Sequence, residues 1–410
     1  MISGRSAAAD RWQVRSSGKA IVDNLSCPYF DDGIAAMTTA ENLRGTMIPL
    51  FERYPAIALK IPRLSFGEFS TPVERLPGLS RRLEREDIYI KRDDLTSRLY
   101  GGNKVRKLEF LLADALREGA QRVITSGGAG SNHALATAIY GKKVGLKTVL
   151  MLFRQPNSYS VRHNLLMNLA SGAELIHHDT YQEHTQAFEE SVRRYEAADG
   201  KTPYVIPLGG SSPRGAIGYV NAGLELAAQI AAGELPSPSR IYLALGTMGT
   251  AMGLLLGLKA AGVKTHLQAV RAVPTYVAGR DKCNFLFNQT NKLLREMDPS
   301  FPSCTIGPDD LTIREEYFGE KYGLFTTEAL AAATLLRESD GIILDGTYTG
   351  KACAAFLADV RNDSGEPVLF WNTKSSRPLP PEVLAADYRL LPEPLHCYFD
   401  EPVQPLDKGI

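Results

Sequence analysis

Residues 101–110 read Gly-Gly-Asn-Lys-Val-Arg-Lys-Leu-Glu-Phe, and this stretch is the most informative part of the chain. It places Lys104 directly after a Gly-Gly-Asn turn, just before a run from Arg106 to Leu116 whose apolar residues have helical spacing. The two glycines let the backbone approach a ligand closely, because they carry no side chain. An amine near the positive end of a helix dipole has a lowered pKa and becomes a usable nucleophile. Lys104 is therefore either a nucleophile that forms Schiff bases with carbonyl compounds or a solvated lysine in a turn.

A second glycine-rich loop, at residues 243–254, reads Leu-Ala-Leu-Gly-Thr-Met-Gly-Thr-Ala-Met-Gly-Leu. It follows an apolar segment that we expect to be a strand, and it opens a helix rich in small residues. Backbone N–H groups at such a helix start bind phosphate, and Thr247 and Thr250 can add hydroxyl donors. The alternative is a tight turn between a parallel strand and its helix. The spacing matches neither the dinucleotide fingerprint nor a P-loop, so we do not expect NAD or ATP.

A third loop, at residues 125–133, reads Thr-Ser-Gly-Gly-Ala-Gly-Ser-Asn-His. Ser131, Asn132 and His133 would lie at the first turn of the helix that follows, where N–H groups and polar side chains suit a carboxylate or a ring oxygen. Taken singly, Ser131 or Asn132 is more often a helix cap than a site residue, and His133 could equally be a packing histidine.

These segments, in this order, resemble the pyridoxal-phosphate enzymes of the tryptophan synthase β-like fold (fold type II). The branch that they resemble contains 1-aminocyclopropane-1-carboxylate deaminase and D-cysteine desulfhydrase. The resemblance covers most of residues 60–370 and takes in Ile88-Tyr-Ile-Lys-Arg-Asp-Asp-Leu, Gly209-Gly-Ser-Ser-Pro-Arg-Gly and Leu344-Asp-Gly-Thr-Tyr-Thr-Gly-Lys. It implies an α/β fold of two lobes, each an open, mostly parallel sheet flanked by helices, with pyridoxal 5'-phosphate in the cleft between them.

The resemblance also assigns roles to the matching positions. Lys104 would bind the cofactor covalently, and Asn132 would hydrogen-bond the hydroxyl of the cofactor ring. Ser131, Asn132 and His133 would hold the substrate, the first and last of them beside its carboxylate. The cofactor phosphate would be held by Lys107 and by the loop residues Gly246, Thr247, Met248, Gly249 and Thr250. The expected catalytic residues are Lys104, Ser131 and two tyrosines, Tyr348 and Tyr322, although without the resemblance each tyrosine reads as an aromatic in a core or an interface.

Thr349 distinguishes the two enzymes of this branch. The deaminase pattern is Tyr-Glu-Gly-Lys, whereas residues 348–351 read Tyr-Thr-Gly-Lys, which resembles the desulfhydrase, as does His133. A glutamate would keep the pyridine nitrogen protonated, whereas we expect the hydroxyl of Thr349 to donate to a neutral nitrogen and so to give a weaker electron sink. A weaker sink suits elimination of a good leaving group such as a thiolate.

Two segments depart from the pattern of the family. Where the family has a His-Thr-Gly-Gly type segment after a strand, this chain keeps Thr373 but has Lys374 and Ser375 in place of the glycines, and the Pro-Asn expected after Tyr322-Gly323 is replaced by Phe325-Thr326. We expect Lys374 to be a solvated surface lysine, with a contact to a distal acid on a larger substrate as the alternative.

The sequence therefore predicts a pyridoxal-phosphate lyase that deaminates a small amino acid. The favoured substrate is D-cysteine or an analogue, with pyruvate, ammonia and sulfide as products. The alternatives are a 1-aminocyclopropane-1-carboxylate deaminase, a pyridoxal-phosphate-dependent β-replacement synthase and a non-catalytic pyridoxal-phosphate binder.

The 46 basic and 46 acidic residues balance, so we expect no nucleic-acid partner. No apolar stretch is long enough to span a bilayer, so no membrane association is expected either. Five scattered cysteines without a CxxC pair indicate a reduced, cytoplasmic protein without a zinc site. The first residues are basic but lack an apolar h-region, so the alternatives there are an organelle transit segment and an extension that packs on the partner of a homodimer.

Predicted strands and helices alternate from Gln121 to Trp371, as in an open parallel sheet, and a strand is expected at residues 342–345. We expect an N-terminal extension at residues 1–55, a large cofactor-binding domain at residues 56–119 and 216–410, and a small inserted α/β domain at residues 120–215.

Overall fold

The computed structural model describes residues 47–362 and 365–409, and in this part of the chain ten strands form two sheets. The six-stranded sheet has the order β1 (Val73–Arg75), β2 (Ile88–Lys91), β10 (Val368–Trp371), β7 (Arg240–Leu245), β8 (His266–Arg271) and β9 (Leu311–Arg314). The four-stranded sheet has the order β5 (Glu174–His178), β4 (Lys147–Phe153), β3 (Arg122–Gly128) and β6 (Tyr204–Ile206). Every neighbouring pair is parallel except β1 and β2. The predicted α/β fold of open, mostly parallel sheets flanked by helices is confirmed.

Helices separate the strands, as parallel pairing requires. Those of the first half are Lys104–Arg117, Asn132–Lys143, Tyr159–Ser171 and Tyr181–Asp199. Those of the second half are Pro213–Ala231, Gly249–Ala261, Arg280–Met297, Thr327–Asp340 and Thr349–Val360. Shorter helices are Pro49–Arg53, Pro55–Lys60, Pro77–Leu83, Pro381–Leu384 and Cys397–Asp400. Helix Lys104–Arg117 joins the two halves of the molecule, because it adds Leu108 to the apolar core around the smaller sheet and Phe110 to the core around the larger one.

Close packing of two helices sets the position of the 246–250 loop. A Cβ at Gly253 would lie 2.3 Å from the carbonyl oxygen of Ala216, and one at Gly257 would lie 2.2 Å from that of Val220. Helix Gly249–Ala261 can therefore approach helix Pro213–Ala231 only because glycine stands at both contacts. The start of helix Gly249–Ala261 is thereby fixed at the carboxyl end of β7.

The beginning of the described chain packs against helices Pro213–Ala231 and Arg280–Met297. Leu50 and Ile57 are fully buried, and the N–H of Leu50 donates to Oδ1 of Asn221 at 3.0 Å. In residues 47–55, which the sequence assigns to an N-terminal extension, Ile48, Leu50, Phe51 and Tyr54 thus belong to the apolar core. The first residues, for which the alternatives are a transit segment and an extension that packs on a dimer partner, lie outside the described part of the chain, and the domain boundaries stay a prediction.

The strand predicted at residues 342–345 is wrong. These residues form no ladder, because the N–H of Ile342 bonds to Leu336 and the N–H of Asp345 bonds to the Thr349 hydroxyl. Their backbone groups thus close one helix and open the next. Among the helices of residues 47–362 and 365–409, none combines the length and the apolar character needed to cross a membrane.

Candidate functional site

A cleft of about 170 Å³ opens at the carboxyl ends of the central strands of both sheets. Loops that follow β3 and β7 line it, together with the start of helix Lys104–Arg117 and the segments around residues 322, 348 and 374. It brings together most of the predicted site residues: Lys104, Lys107, Ser131, Asn132, His133, Gly246, Thr247, Met248, Thr250, Tyr322 and Tyr348. Gly249 lies just behind its wall, and Thr349 is buried beside it.

Lys104 presents its amine to the cleft. It is the first residue of its helix, and its Nζ donates to Oδ1 of Asn103 at 2.8 Å. Asn103 is itself held by Thr250, since its Nδ2 donates to that hydroxyl at 2.9 Å. Burial lowers the pKa of Lys104 to about 8, with the charge of Asp345 acting in the opposite direction. A substantial neutral fraction of this amine is thus present near physiological pH, as a nucleophile requires.

Lys107 lies one helical turn further on, at the start of helix Gly249–Ala261. Its Nζ donates to the carbonyl of Gly209 at 3.0 Å and to the hydroxyl of Ser211 at 3.2 Å. Burial, together with the charge of Lys104, holds the pKa of Lys107 well below its usual range. No carboxylate of the described chain forms an ion pair with it. A buried amine without a counter-ion is costly, so its position calls for an anionic ligand.

The loop at 246–250 completes an anion-binding site around Lys107. The hydroxyls of Ser211 and Thr247 are 2.8 Å apart, and Ser211 also accepts from the N–H of Gly249 at 3.0 Å. Met248, the N-cap residue, has φ +70° and makes no side-chain cap, so its side chain occupies none of the N–H groups of the helix start. A Cβ at Gly249 would lie only 3.0 Å from Nζ of Lys107 and would fill the site. These donors fit a phosphate group.

Asn132 has a free donor at the opposite wall of the cleft. Its Oδ1 accepts from Nδ2 of Asn164 at 3.0 Å and from the Tyr100 hydroxyl at 3.4 Å. Its Nδ2 has no partner in residues 47–362 and 365–409, so it can donate to an oxygen of a ligand. Ser131 is the helix N-cap and accepts from the N–H of Ala134 at 3.2 Å. Its catalytic role stays a prediction.

His133 is a neutral ring with one unused acceptor. The Thr125 hydroxyl donates to the carbonyl of Ile206 at 2.8 Å, so Nε2 of His133 is the donor in its 3.1 Å contact with Thr125. Nδ1 is then unprotonated, and it is buried without a partner. Burial, followed by the charges of Lys104 and Lys107, holds the pKa of His133 well below its usual range. Its Nδ1 therefore suits a donor on a ligand, whereas contact with a carboxylate stays a prediction.

The two predicted tyrosines meet in the cleft. The hydroxyls of Tyr322 and Tyr348 are 2.9 Å apart, and the ring centroids are 6.3 Å apart in an edge-on arrangement. Burial raises the pKa of both phenols, so each is protonated at neutral pH. Since one hydrogen bond between them uses only one proton, the pair retains a second proton that it can donate to a ligand.

Asp345 is a residue that the sequence did not identify as part of the site. It lines the cleft, and its carboxylate accepts from the N–H groups of Thr347 and Tyr348 at 2.9 and 2.6 Å. The Thr349 hydroxyl donates to the same carboxylate at 2.9 Å. Because that hydroxyl proton is engaged, the predicted donation from Thr349 to a pyridine nitrogen would require the proton to be released from Asp345. The local signal that could have found Asp345 is a carboxylate four residues before Thr349, where the helix begins.

The expectation that Lys374 is a solvated surface lysine is wrong. It lines the cleft and is only partly exposed, and Nζ donates to the carbonyl of Ser375 at 3.0 Å. Burial lowers its pKa, against the charges of Asp345 and Asp94. Its position was not predictable from local pattern, because the residues that cover it come from distant segments.

Comparisons with known proteins agree with this geometry. A family model described as pyridoxal-phosphate dependent enzyme matches residues 64–373. The chain is similar to the D-cysteine desulfhydrase of Yersinia enterocolitica, with 40% identity over 323 residues, 77% of this chain and 94% of that protein. The D-cysteine desulfhydrase of Serratia proteamaculans is 36% identical over 322 residues, with the same coverage. A solved structure of an ACC deaminase homologue has a TM-score of 0.68 and 32% identity, covering 80% of this chain and 95% of that one.

Proposed function

We propose that this chain, which belongs to the family of pyridoxal-phosphate dependent enzymes, is a lyase that acts on a small amino acid with a good leaving group on its β-carbon. D-Cysteine is the substrate that the similar proteins name, and pyruvate, ammonia and sulfide would be the products. Lys104 carries the proposal, because it is a cleft-facing amine with a pKa of about 8, one turn before a phosphate-binding site.

The cofactor fits the residues that are present. Lys107, Ser211, Thr247 and the start of helix Gly249–Ala261 would hold its phosphate, and Nδ2 of Asn132 would donate to its ring oxygen. When bound, pyridoxal phosphate supplies an aldehyde for the substrate amine and a ring that accepts electrons. Gly249 is required at this point, since any side chain would displace the phosphate.

Protons are moved by Lys104 and the tyrosine pair. Lys104, once its amine is free, takes a proton from the substrate, because its pKa of about 8 keeps part of it neutral. Tyr348 keeps its proton, since burial raises its pKa, and Tyr322 holds it in place at 2.9 Å. Tyr348 is therefore suited to donate a proton to the departing thiolate or to the product.

The structural similarity to an ACC deaminase homologue favours cyclopropane ring opening as a second candidate. Thr349 weighs against it, because a threonine bonded to Asp345 stands where the deaminase pattern has a glutamate. The homodimer and the cytoplasmic location stay predictions.

A panel of D- and L-amino acids, assayed for release of keto acid by the purified holoenzyme, tests the proposal. We expect release from D-cysteine and β-chloro-D-alanine without any second substrate. A β-replacement synthase would need an added nucleophile, and a non-catalytic binder would release nothing. Preferential turnover of 1-aminocyclopropane-1-carboxylate would establish the deaminase instead.

A further inference from the structure

We propose that Lys374 binds a second anionic group, carried at the end of the substrate's leaving group, in a side chamber of the cleft. The substrate class would be D-cysteine derivatives whose sulfur carries a short chain that ends in a carboxylate. This inference rests on the proposed lyase function and extends it to the identity of the leaving group. The geometry of Lys374, the shape of the chamber and the charges around it support it.

The backbone that carries Lys374 is fixed against the turn that carries Lys104. The N–H of Asn103 donates to the carbonyl of Thr373 at 3.1 Å, and the N–H of Gly101 donates to the hydroxyl of Ser375 at 3.0 Å. A Cβ at Gly102 would lie 2.9 Å from the carbonyl of Thr373, so the two segments are in direct contact. Ser375 thus has a structural role, which leaves Lys374 as the residue that projects into the cleft.

A side chamber of about 100 Å³ adjoins the cleft beside Lys374. The two cavities share Asn132, Tyr322, Asp345, Tyr348 and Lys374 as wall residues. Beyond this shared wall the lining includes the polar residues Gln155, Ser160, His163, Asn164 and Arg377. A β-substituent that leaves past the tyrosine pair would extend into this chamber, which has room for more than a bare sulfur atom.

The charges in the chamber favour an anion. Lys374 and Arg377 are cations without an ion pair among the residues that the structure describes. Asp345 is the carboxylate on the shared wall, and its two oxygens already accept from backbone N–H groups and from the Thr349 hydroxyl. Arg377 is oriented by a 2.8 Å bond from Nε to the carbonyl of Ser97. The single hydrogen bond from Nζ of Lys374 to Ser375 leaves donors for a carboxylate, which a charge-assisted pair would fill.

The chemistry remains that of the proposed lyase. The bond between the β-carbon and sulfur breaks, the electron pair leaves with the thiolate, and the thiolate takes up a proton. With one water molecule, S-(carboxymethyl)-D-cysteine gives mercaptoacetate, pyruvate and ammonia. No oxidant or reductant is needed.

The experiment compares S-(carboxymethyl)-D-cysteine with S-(carbamoylmethyl)-D-cysteine, which has nearly the same size but no side-chain charge. We expect the native holoenzyme to prefer the acid in kcat/KM by roughly tenfold or more, as a charge-assisted hydrogen bond provides. Lys374→Gln should reduce this preference to near one, and Lys374→Arg should restore most of it. Lys264→Gln, which removes an exposed lysine, is the matched control and should leave the preference unchanged.

Binding gives a second measurement that needs no turnover. In the Lys104→Ala variant, calorimetry should show the acid binding about tenfold more tightly than the amide, and Lys374→Gln added to that variant should abolish the difference. Equal kcat/KM for acid and amide in an enzyme that converts D-cysteine would overturn this inference and leave the proposed function intact. Absence of turnover on every amino acid would overturn the proposed function, and equal binding of acid and amide would then overturn the chamber assignment as well.

Discussion

Arg106 and Lys107 are neighbours in one helix, yet they face opposite kinds of environment. Arg106 is buried between two carboxylates, 2.7 Å from Asp93 and 2.8 Å from Glu225. These ion pairs hold the pKa of Arg106 well above its usual range despite its burial. Lys107 is equally buried, has no acid partner in the described chain, and has a pKa well below its usual range.

The two environments differ in how completely their charges are balanced. Around Arg106, Lys91 also pairs with Glu225 at 2.6 Å, and Tyr219 donates to Asp93 at 2.6 Å, so two cations meet two anions. The cleft has Lys104, Lys107 and Lys374 against Asp345 alone. The first network is complete within the chain and stabilises the fold, whereas the second is completed only by ligands. An excess of buried charge of one sign is therefore a guide to the ligand's charge.

Replacing Lys104 by alanine should have the largest effect on function. We expect turnover to fall by roughly 10³-fold or more, because no other group can take over a covalent role. The visible absorbance of the lysine-bound cofactor should disappear as well. The thermal midpoint of the apoprotein should not fall, since the amine removed is unpaired. Borohydride reduction followed by peptide mapping should place the cofactor on residue 104 in the native protein, and a label on another lysine would contradict the assignment.

Breaking the complete network should affect stability rather than chemistry. Glu225→Gln leaves Arg106 and Lys91 with one carboxylate fewer, and we expect the free energy of unfolding to fall by about 3–5 kcal/mol. Chemical denaturation, followed by fluorescence, measures the loss. Glu338→Gln, which removes an exposed partner of Arg82, is the control and should change stability by less than about 1 kcal/mol.

Glu225→Gln should also change how the stability of the protein depends on pH in the acidic range. Burial alone would raise the pKa of Glu225, but Arg106 and Lys91 hold it at about 2, below the value of 4.5 in an unfolded chain. The stability from this carboxylate is thus present above pH 4.5 and lost as the pH falls from 4.5 towards 2. The Glu225→Gln protein should show a shallower loss of stability over that interval. Parallel acid curves for the two proteins would argue against the network.

Lys107→Gln should weaken cofactor binding rather than stability, in contrast to Glu225→Gln. Cofactor affinity should fall by roughly 10–100-fold, as expected for loss of a charge-assisted hydrogen bond to phosphate. The apoprotein, however, should be at least as stable as the native one, because a buried amine without an acidic partner is removed. Equilibrium dialysis measures the affinity, and a thermal melt of the apoprotein measures the stability. A large loss of apoprotein stability would mean that Lys107 is a structural cation like Arg106.

The smallest expected effect is the pH dependence of cofactor uptake by the apoprotein. Only the neutral amine of Lys104 attacks an aldehyde, so the rate at which apoprotein takes up pyridoxal phosphate should rise roughly tenfold per pH unit and level off above pH 8. Stopped-flow absorbance after mixing measures this rate. A rise that continued to pH 10 would indicate a lysine with an ordinary pKa.

Much of the site follows from the sequence because its parts are local. A glycine turn before a helix sets the position of Lys104. A strand, a Gly/Thr loop and a helix set the position of residues 246–250, and both patterns are contained in short segments of the sequence. The contributions of Ser211 and Asp345 depend on contacts between distant segments, such as the 2.8 Å bond from Ser211 to Thr247. Lys374 was misjudged for the same reason, since the cavity wall to which it belongs also includes Asn132, Tyr322 and Asp345 from distant parts of the sequence. The strand prediction at 342–345 was wrong because the apolar residues there connect the end of one helix to the start of the next. Hydrophobic periodicity does not distinguish such a segment from a short strand.

The bonds between residues 101–103 and 373–375 make the turn of Lys104 and the loop of Lys374 a single rigid unit. The backbone then sets the distance between Lys104, the proposed site of covalent attachment, and Lys374, the proposed binding site for the distal anion. This distance would select substrates by the length of their side chain. A substitution at position 374 would therefore change which substrate side chains are accepted and leave Lys104 in place.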